Sequence, residues 1–243
     1  MVRLLVTSAT YRQHSSLRPE YHDLDPANRL LASQNPRRLE AEFVRDNALS
    51  IAGLLNPETG GPSVKPYQPP GYYVNLHFPD RDYVPDQDAG QWRRGVYMHW
   101  QRTFLHPMLA NFDAPMRDEC AAARMVSNTP QQALTLLNDP TFAEAARVLA
   151  QRLLTSPATG DTARLQLAWQ LALARDPLPA ELSSILSYLK TQRDTFAHAP
   201  EDAAMVLKTG MAPALAGPAP AEAAAWTSVC RVLLNLHETI TRY

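Results

Sequence analysis

Residues 129–140 read Thr129-Pro130-Gln131-Gln132-Ala133-Leu134-Thr135-Leu136-Leu137-Asn138-Asp139-Pro140 and contain two helix starts and one helix end. Thr129 is a residue type that caps helices, Pro130 suits the first helical position, and Gln132 stands where a capping box needs it. Asn138-Asp139-Pro140 ends this helix and starts the next one, with Asp139 as its cap. We expect the second helix to continue to about Leu154.

The chain that surrounds and follows these residues is rich in alanine, the residue with the highest helix propensity. Residues 101–243 hold 28 alanines, whereas residues 1–100 hold 7. Further helices are predicted over about 161–174 and around 182–189, where apolar residues recur at helical spacing. A last helix is predicted with one apolar face that runs from Trp226 to Ile240.

On the N-terminal side, one helix is predicted from about Pro36 to Leu55, because apolar residues recur there at the same spacing. Arg38, Glu42 and Asp46 then form a column on another face, with Arg45 beside Glu42. Two acids and two arginines within reach suit a catalytic or ligand site. Charge ladders on helices are more often solvated faces joined by i,i+4 pairs, and we favour that interpretation.

Residues 56–95 lie between these helical parts and are dense in proline. Because helix interiors exclude proline, this segment predicts a long, irregular, extended excursion. Irregular segments of this length are usually functional or lie as a belt across the domain. Directly after it, residues 93–102 are open to two interpretations, a short strand or a helix start, and the alternation of apolar and polar side chains over 96–101 suits a half-buried strand.

The predicted fold is mainly α: an irregular multi-helix domain with a long proline-rich extended segment and at most one short strand pair. The length of 243 residues corresponds to about 1.6 nominal domains, and we predict a single domain over 1–243. Its parts are the N-terminal helices (1–55), the proline-rich excursion (56–95) and the alanine-rich helical part (96–243).

The overall composition excludes several function classes. A net charge of −1 removes the electrostatic basis for general nucleic-acid or acidic-lipid binding. Apolar runs are too short for a transmembrane helix or a signal peptide, so no membrane insertion is expected. Cys120 and Cys230 form no CxxC or CxxCH motif, so we expect no metal and no cofactor in this chain. The sequence leaves open whether Cys120 and Cys230 form a disulfide, although buried free cysteine is the commoner state.

The densest polar region lies between residues 93 and 124. Its candidate ligand-binding or structural side chains are Arg93, Arg94, Arg102, Asp113 and Arg124. Paired guanidinium groups suit carboxylate or phosphate ligands. The alternative, which we favour, is an ion-pair network that ties the excursion to the helical part. No catalytic residue can be assigned, since a thiolate made from Cys120 and His99 or His106 needs a spatial proximity that the sequence does not establish.

An ordered set of motifs resembles the PSD-one domain family, a bacterial domain of unknown function that is abundant in planctomycete-type proteins. The resemblance extends over essentially the whole chain. The motifs that carry it are Ser8-Ala9-Thr10-Tyr11-Arg12-Gln13-His14-Ser15-Ser16, Asn28-Arg29-Leu30-Leu31, Arg37-Arg38-Leu39-Glu40-Ala41-Glu42 with Arg45-Asp46, Gly60-Gly61-Pro62-Ser63, Arg93-Arg94-Gly95-Val96-Tyr97, Phe112-Asp113-Ala114-Pro115, Asn128-Thr129-Pro130-Gln131-Gln132-Ala133-Leu134-Thr135-Leu136-Leu137-Asn138 and Arg231-Val232-Leu233-Leu234-Asn235-Leu236-His237-Glu238.

The resemblance implies a place at the C-terminal end of large exported proteins, after a second uncharacterised domain and often a cytochrome-c-like module. Any haem would then belong to an upstream module. Because family members generally continue upstream of the first motif, the chain is expected to be an N-terminally truncated domain. Its location would be periplasmic or extracellular as part of a longer exported protein, and cytoplasmic if the chain is complete.

Two functions from different classes follow from these observations. The first is a non-catalytic helical module that docks to upstream domains of its own protein or to an extracellular polymer. The second is an enzyme, a hydrolase or part of a redox assembly acting on polysaccharide-derived material, with its site around 93–124. Convergence of Arg94, Arg102 and Asp113 in an open pocket favours the enzyme, whereas burial in mutual pairs favours the module.

Overall fold

The structure is a computed structural model that describes residues 1–15, 19–21, 23–75, 82–101, 104–214 and 217–242. In this part of the chain it contains nine α-helices and one two-stranded antiparallel sheet, so the mainly α prediction is confirmed. The strands are β1 (Arg37–Arg38) and β2 (Thr241–Arg242). The helices are α1 (Val2–Val6), α2 (Ala41–Ala52), α3 (Pro107–Asn111), α4 (Pro130–Asn138), α5 (Pro140–Leu154), α6 (Asp161–Leu173), α7 (Pro179–His198), α8 (Pro200–Leu207) and α9 (Pro220–Leu234).

Proline sets where most of these helices begin. Helices α3, α4, α5, α7, α8 and α9 all carry proline in their first turn, where its missing N–H costs nothing. The predicted cap of α5 is confirmed, since the Asp139 carboxylate accepts from the Thr141 N–H at 2.9 Å. The capping box predicted for α4 is wrong: the Thr129 side chain makes no cap hydrogen bond, and Gln132 is buried in other contacts.

Helix α9 lies at the centre of the core and packs against α5, α7 and α8. Trp226, Val229 and Leu233 on α9 are fully buried. Helix α2 packs against α5, and its Leu49 is also fully buried. The core is therefore formed largely by the alanine-rich half of the chain, with α2 as the contribution of the N-terminal part.

Two predicted helix boundaries are wrong, and the small sheet explains both. The N-terminal helix begins at Ala41 rather than Pro36, because Arg37 and Arg38 form β1. The C-terminal helix ends at Leu234 rather than Ile240, and a 3₁₀ turn over His237–Ile240 leads into β2. Arg37 pairs with Arg242 and Arg38 with Thr241, so the segment that leads into α2 meets the C-terminal strand in this sheet.

The proline-rich segment is irregular, as predicted. Its described residues hold 3₁₀ turns at Tyr72–Asn75 and Ala89–Trp92 and two isolated parallel bridges, Asn56 with Arg93 and Val64 with Met98. Of the two structures predicted for residues 93–102, the strand does not form, and Gly95–Tyr97 is a 3₁₀ turn, which is nearer to the helix start. Gly95 approaches α2 so closely that a Cβ there would lie 2.9 Å from the Glu42 Cα.

Buried charged side chains on the helices anchor the irregular segments. Arg45 of α2 is 1% exposed and donates to the carbonyls of Gln91 and Arg93. Glu144 of α5 is 0% exposed and accepts from the backbone N–H of Met211 and Ala212 at 2.6 and 2.7 Å. These contacts satisfy backbone groups that lack partners in helices or sheets.

Candidate functional site

A polar cluster joins β1, the loop after α3 and the first turn of α4. Arg38 donates from Nη2 to Asp113 Oδ2 at 2.5 Å and from Nη1 to Gln132 Oε1 at 3.1 Å. The Ser127 hydroxyl donates to Asp113 Oδ1 at 2.8 Å, and the Ser127 N–H donates to Oδ2 at 2.8 Å. Gln132 Nε2 donates in turn to the Asn111 carbonyl at 2.9 Å. The cluster closes the loop between Asp113 and Ser127 onto the sheet.

A second ion pair holds the same loop to α2. Arg124 donates from Nη1 and Nη2 to the two carboxylate oxygens of Glu42, at 2.6 and 3.1 Å. Its Nη1 also lies 3.2 Å from Glu40 Oε2. This fork geometry is the strong, directional form of an arginine–carboxylate pair. The solvated-face interpretation of Arg38, Glu42 and Asp46 is therefore wrong, because these side chains reach other segments rather than one another.

The arginines before the loop belong to a separate set of contacts. Arg93 is buried, donates to the carbonyls of Pro62 and Gly60, and lies with its Cζ 4.1 Å from the Tyr97 ring centroid. Arg94 is exposed, with its Cζ 6.0 Å from the same ring. Arg102 lies outside the described residues. The structure thus brings Asp113 and Arg124 to one loop, and Arg93 and Arg94 to the proline-rich segment.

The loop between Asp113 and Ser127 lines two cavities of about 460 and 400 Å³. Asp113 and Arg117 both adopt left-handed backbone, with φ of +61° and +63°. The Arg117 guanidinium stacks on Trp100, with Cζ 3.7 Å from the ring centroid. Strained, non-glycine backbone of this kind persists only where side-chain contacts hold it in place. We call residues 113–127 the latch loop.

A comparison with protein families decides which family this sequence represents. The family model described as PSD1, Protein of unknown function (DUF1553), matches residues 1–189. The chain belongs to this family. A search of curated proteins returned no match for this DUF1553 chain, and a search of solved structures returned none. Helices α8 and α9 of the DUF1553 fold follow the matched residues, although α9 occupies the centre of the core.

Two carboxylates that hold the latch loop in place, Asp113 of the loop itself and Glu42 of α2, are kept in their ionised form. Burial alone raises the pKa of Asp113, but hydrogen bonds from Arg38 and Ser127 bring it below its ordinary value. Burial likewise raises the pKa of Glu42, and the fork from Arg124 lowers it overall. A general acid or base needs a pKa near the working pH. This part of the DUF1553 chain therefore offers electrostatic closure of a loop rather than proton transfer.

The histidine and cysteines of the region do not come together as a nucleophile pair. His106 is buried: its Nε2 lies 2.6 Å from the Tyr67 carbonyl, and its Nδ1 accepts from the Met108 N–H. Cys120 is exposed in the latch loop and Cys230 is buried in α9, and both are free thiols. The structure therefore contains no Cys120–Cys230 disulfide.

The described part of this DUF1553 structure contains neither a cluster of metal-ligating side chains nor a membrane-spanning helix. Nowhere among the described residues do three or more His, Cys, Asp or Glu side chains converge as a metal site requires. None of the described helices combines the length and hydrophobicity that crossing a bilayer requires.

The sequence missed Arg38, Glu42, Ser127 and Gln132 as members of the cluster. Arg38 and Glu42 stood out as charged residues on one predicted helix face, and Gln132 stood out as a capping residue. The partners of Arg38 and Glu42 in the cluster are 75 to 94 residues away in sequence. Spacing along one helix cannot identify partners at such separations.

Proposed function

We propose that this DUF1553 chain is a non-catalytic helical docking module of a larger exported bacterial protein, and that it docks to another domain of that protein. One observation carries the proposal. Asp113 and Arg124 of the latch loop bond to the loop's own supports, whereas apolar side chains of the loop face solvent: Met116, Met125 and Val126 are 55%, 78% and 69% exposed. Any haem of the larger protein then belongs to a neighbouring module.

The chemistry of the loop supports binding over catalysis. Asp113 and Glu42 are each saturated by an arginine fork or several hydrogen bonds, and both have pKa values below the ordinary range. Neither carboxylate is available to take up or release a proton near neutral pH. The same contacts make the loop a rigid support for the side chains that it exposes.

The exposed surface has the composition of a protein–protein interface. The cavity of about 400 Å³ is lined by Arg37–Glu40 on one side and by Met125 and Val126 on the other. A second cavity of about 250 Å³ is also lined by Arg37–Glu40, together with Phe43, which is 56% exposed. Apolar side chains therefore flank a segment of mixed charge, so the surface offers both apolar contact area and charged groups to a partner. We call this the latch face.

Site-specific photocrosslinking of the native full-length protein tests the docking. A benzophenone amino acid replaces Met125 on the latch face or, as the matched control, Met205, which is 66% exposed on α8. We expect crosslinks from position 125 to one segment of another domain of the same polypeptide, in yield well above position 205. Equal yields at the two positions, or no crosslink at position 125, would contradict the proposal.

The alternative is an enzyme, and one observation favours it. The cavity of about 460 Å³ is lined by Asp113, Cys120 and Arg124 and has the size of a small-molecule site. The test is whether the purified chain releases reducing sugar from polysaccharide fragments. If it does, and if a folded Asp113→Asn variant does not, hydrolysis replaces docking as the proposed function. Unchanged activity in that variant would remove the latch loop from catalysis.

A further inference from the structure

The proline-rich segment holds a cavity of about 470 Å³ that is independent of the latch face. Tyr72, Tyr73 and Tyr83 line it. Phe104 meets Tyr72 at a tilt and Tyr73 edge to face, with ring centroids 4.7 and 5.3 Å apart, and Tyr73 meets Tyr83 edge to face at 5.2 Å. The cavity therefore has an aromatic wall, and its volume lies within the range of ligand sites.

Two of the tyrosine hydroxyls point their hydrogens into the protein. The Tyr72 hydroxyl donates to the Leu105 carbonyl at 3.0 Å, and the Tyr83 hydroxyl donates to the Pro66 carbonyl at 2.6 Å. These bonds fix the two rings and use the one proton that each hydroxyl can donate. The aromatic wall thus offers ring surface to a ligand, but no hydroxyl donor from Tyr72 or Tyr83.

The cavity also offers acceptor atoms. The Asp82 carboxylate is exposed at the cavity, and within the described ranges it makes neither a hydrogen bond nor an ion pair. An ionised carboxylate only accepts hydrogen bonds, so it pairs with O–H or N–H groups of a ligand. A ligand that brings donors therefore fits the cavity.

The combination of ring surface and free acceptors selects the ligand class. A saccharide presents O–H donors around its rim and apolar C–H faces that cover aromatic rings. A proline-rich peptide, the other common occupant of aromatic grooves, lacks N–H donors at its prolines. Among the described lining residues Asp82 alone is charged, and it repels anionic ligands. We propose that this cavity binds a neutral saccharide chain.

Titration calorimetry of the purified 243-residue chain tests the assignment, with cellohexaose, xylohexaose and mannohexaose as probes. The two variants are Tyr73→Ala, which removes ring surface, and Asp82→Asn, which removes an acceptor on an exposed side chain. Tyr11→Ala and Asp194→Asn are the matched controls, because both residues are exposed and lie outside the cavity. Circular dichroism confirms that each variant is folded, and Asp82→Asn keeps the test valid if Tyr73→Ala unfolds.

We expect at least one hexasaccharide to bind, and each cavity variant to weaken it about tenfold or more, while the two controls leave it unchanged. Absence of binding to all three probes overturns the proposal. Binding that survives both cavity variants also overturns it, because the saccharide then lies elsewhere. A deca-proline peptide that binds in place of the sugars, and loses binding in Tyr73→Ala, would assign the cavity to peptide recognition instead. None of these outcomes bears on docking through the latch face.

Discussion

Arg38 and Asp113 lie 75 residues apart in the sequence and face each other with Nη2 and Oδ2 at 2.5 Å. Their side chains are 8% and 15% exposed. Arg38 pairs with Thr241 in the sheet, so the ion pair connects the latch loop to the segment before α2 and to the C-terminal strand. The geometry of the latch face depends on this contact.

Asp113→Asn is expected to destabilise the protein. The substitution leaves the Arg38 guanidinium mostly buried without its counter-charge, which costs about 3 kcal/mol in comparable buried pairs. Urea denaturation followed by circular dichroism measures the free energy of unfolding. Glu119→Gln is the matched control, because Glu119 is an exposed carboxylate of the same loop. Equal stabilities for the two variants would show that the Arg38–Asp113 pair does not support the fold.

Gly210→Ala is expected to be strongly destabilising, by about 2 kcal/mol or more. Gly210 has φ +85°, and a Cβ there would lie 2.2 Å from Cδ of the buried Glu144. Gly160 has the same φ of +85° with no atom within 4 Å of the added Cβ. Gly160→Ala therefore isolates the backbone cost, about 1 kcal/mol. Thermal unfolding of both variants separates the backbone cost from the cost of the clash with Glu144. Equal losses of stability in the two variants would mean that the Glu144 contact is unimportant.

Acid is expected to weaken the fold through His106. Burial lowers the pKa of His106 from 6.5 to about 4, and the hydrogen bond to the Tyr67 carbonyl only partly opposes this. Between these values the unfolded chain binds a proton that the folded protein does not, so stability is full above about pH 6.5 and falls as the pH drops towards 4. NMR titration of the His106 ring gives its pKa directly.

Unfolding free energies at pH 7, 6, 5 and 4 complete the test of His106. His106→Asn removes the titrating group, so the difference between wild type and variant is expected to shrink as the pH falls. A difference that stays constant across this range, or a ring pKa near 6.5, would contradict the role of burial.

The two thiols are expected to differ in reactivity. Cys120 is exposed, whereas Cys230 is buried and burial raises its pKa. The thiolate is the reactive form, so Ellman's reagent is expected to modify one thiol per native chain and two after denaturation. Cys120→Ser serves as the control and leaves no rapidly reacting thiol. Two unreactive cysteines in the denatured, unreduced chain would indicate a disulfide.

Short-range features of the fold were predictable from local chemistry. The start of α5 at Asp139-Pro140 follows from a cap and a proline within three residues, and the belt-like 56–95 segment follows from proline density. Helix α7 begins after Leu178, whose side chain cannot cap, and the Glu181 carboxylate accepts from the Leu178 N–H at 2.7 Å. Each of these depends on residues close together in sequence.

The candidate site was predictable only in part. The region 93–124 stood out by its charge, and Asp113 and Arg124 do belong to one loop. Their partners Arg38 and Glu42 were assigned to a continuous helix face, because nothing local shows that β2 pairs with Arg37 and Arg38 and ends the helix early.

The amino-acid sequence by itself determined the mainly helical class, the proline-led starts of α4 and α5, and the family. These follow from backbone propensities and motifs that act over a few residues. Only the tertiary structure decided which charges pair, which acceptors stay free beside the tyrosines, and which apolar side chains remain exposed. Pairing across 75 or more residues depends on how α2, α5 and α9 pack, and packing energy depends on the whole core rather than on any one segment.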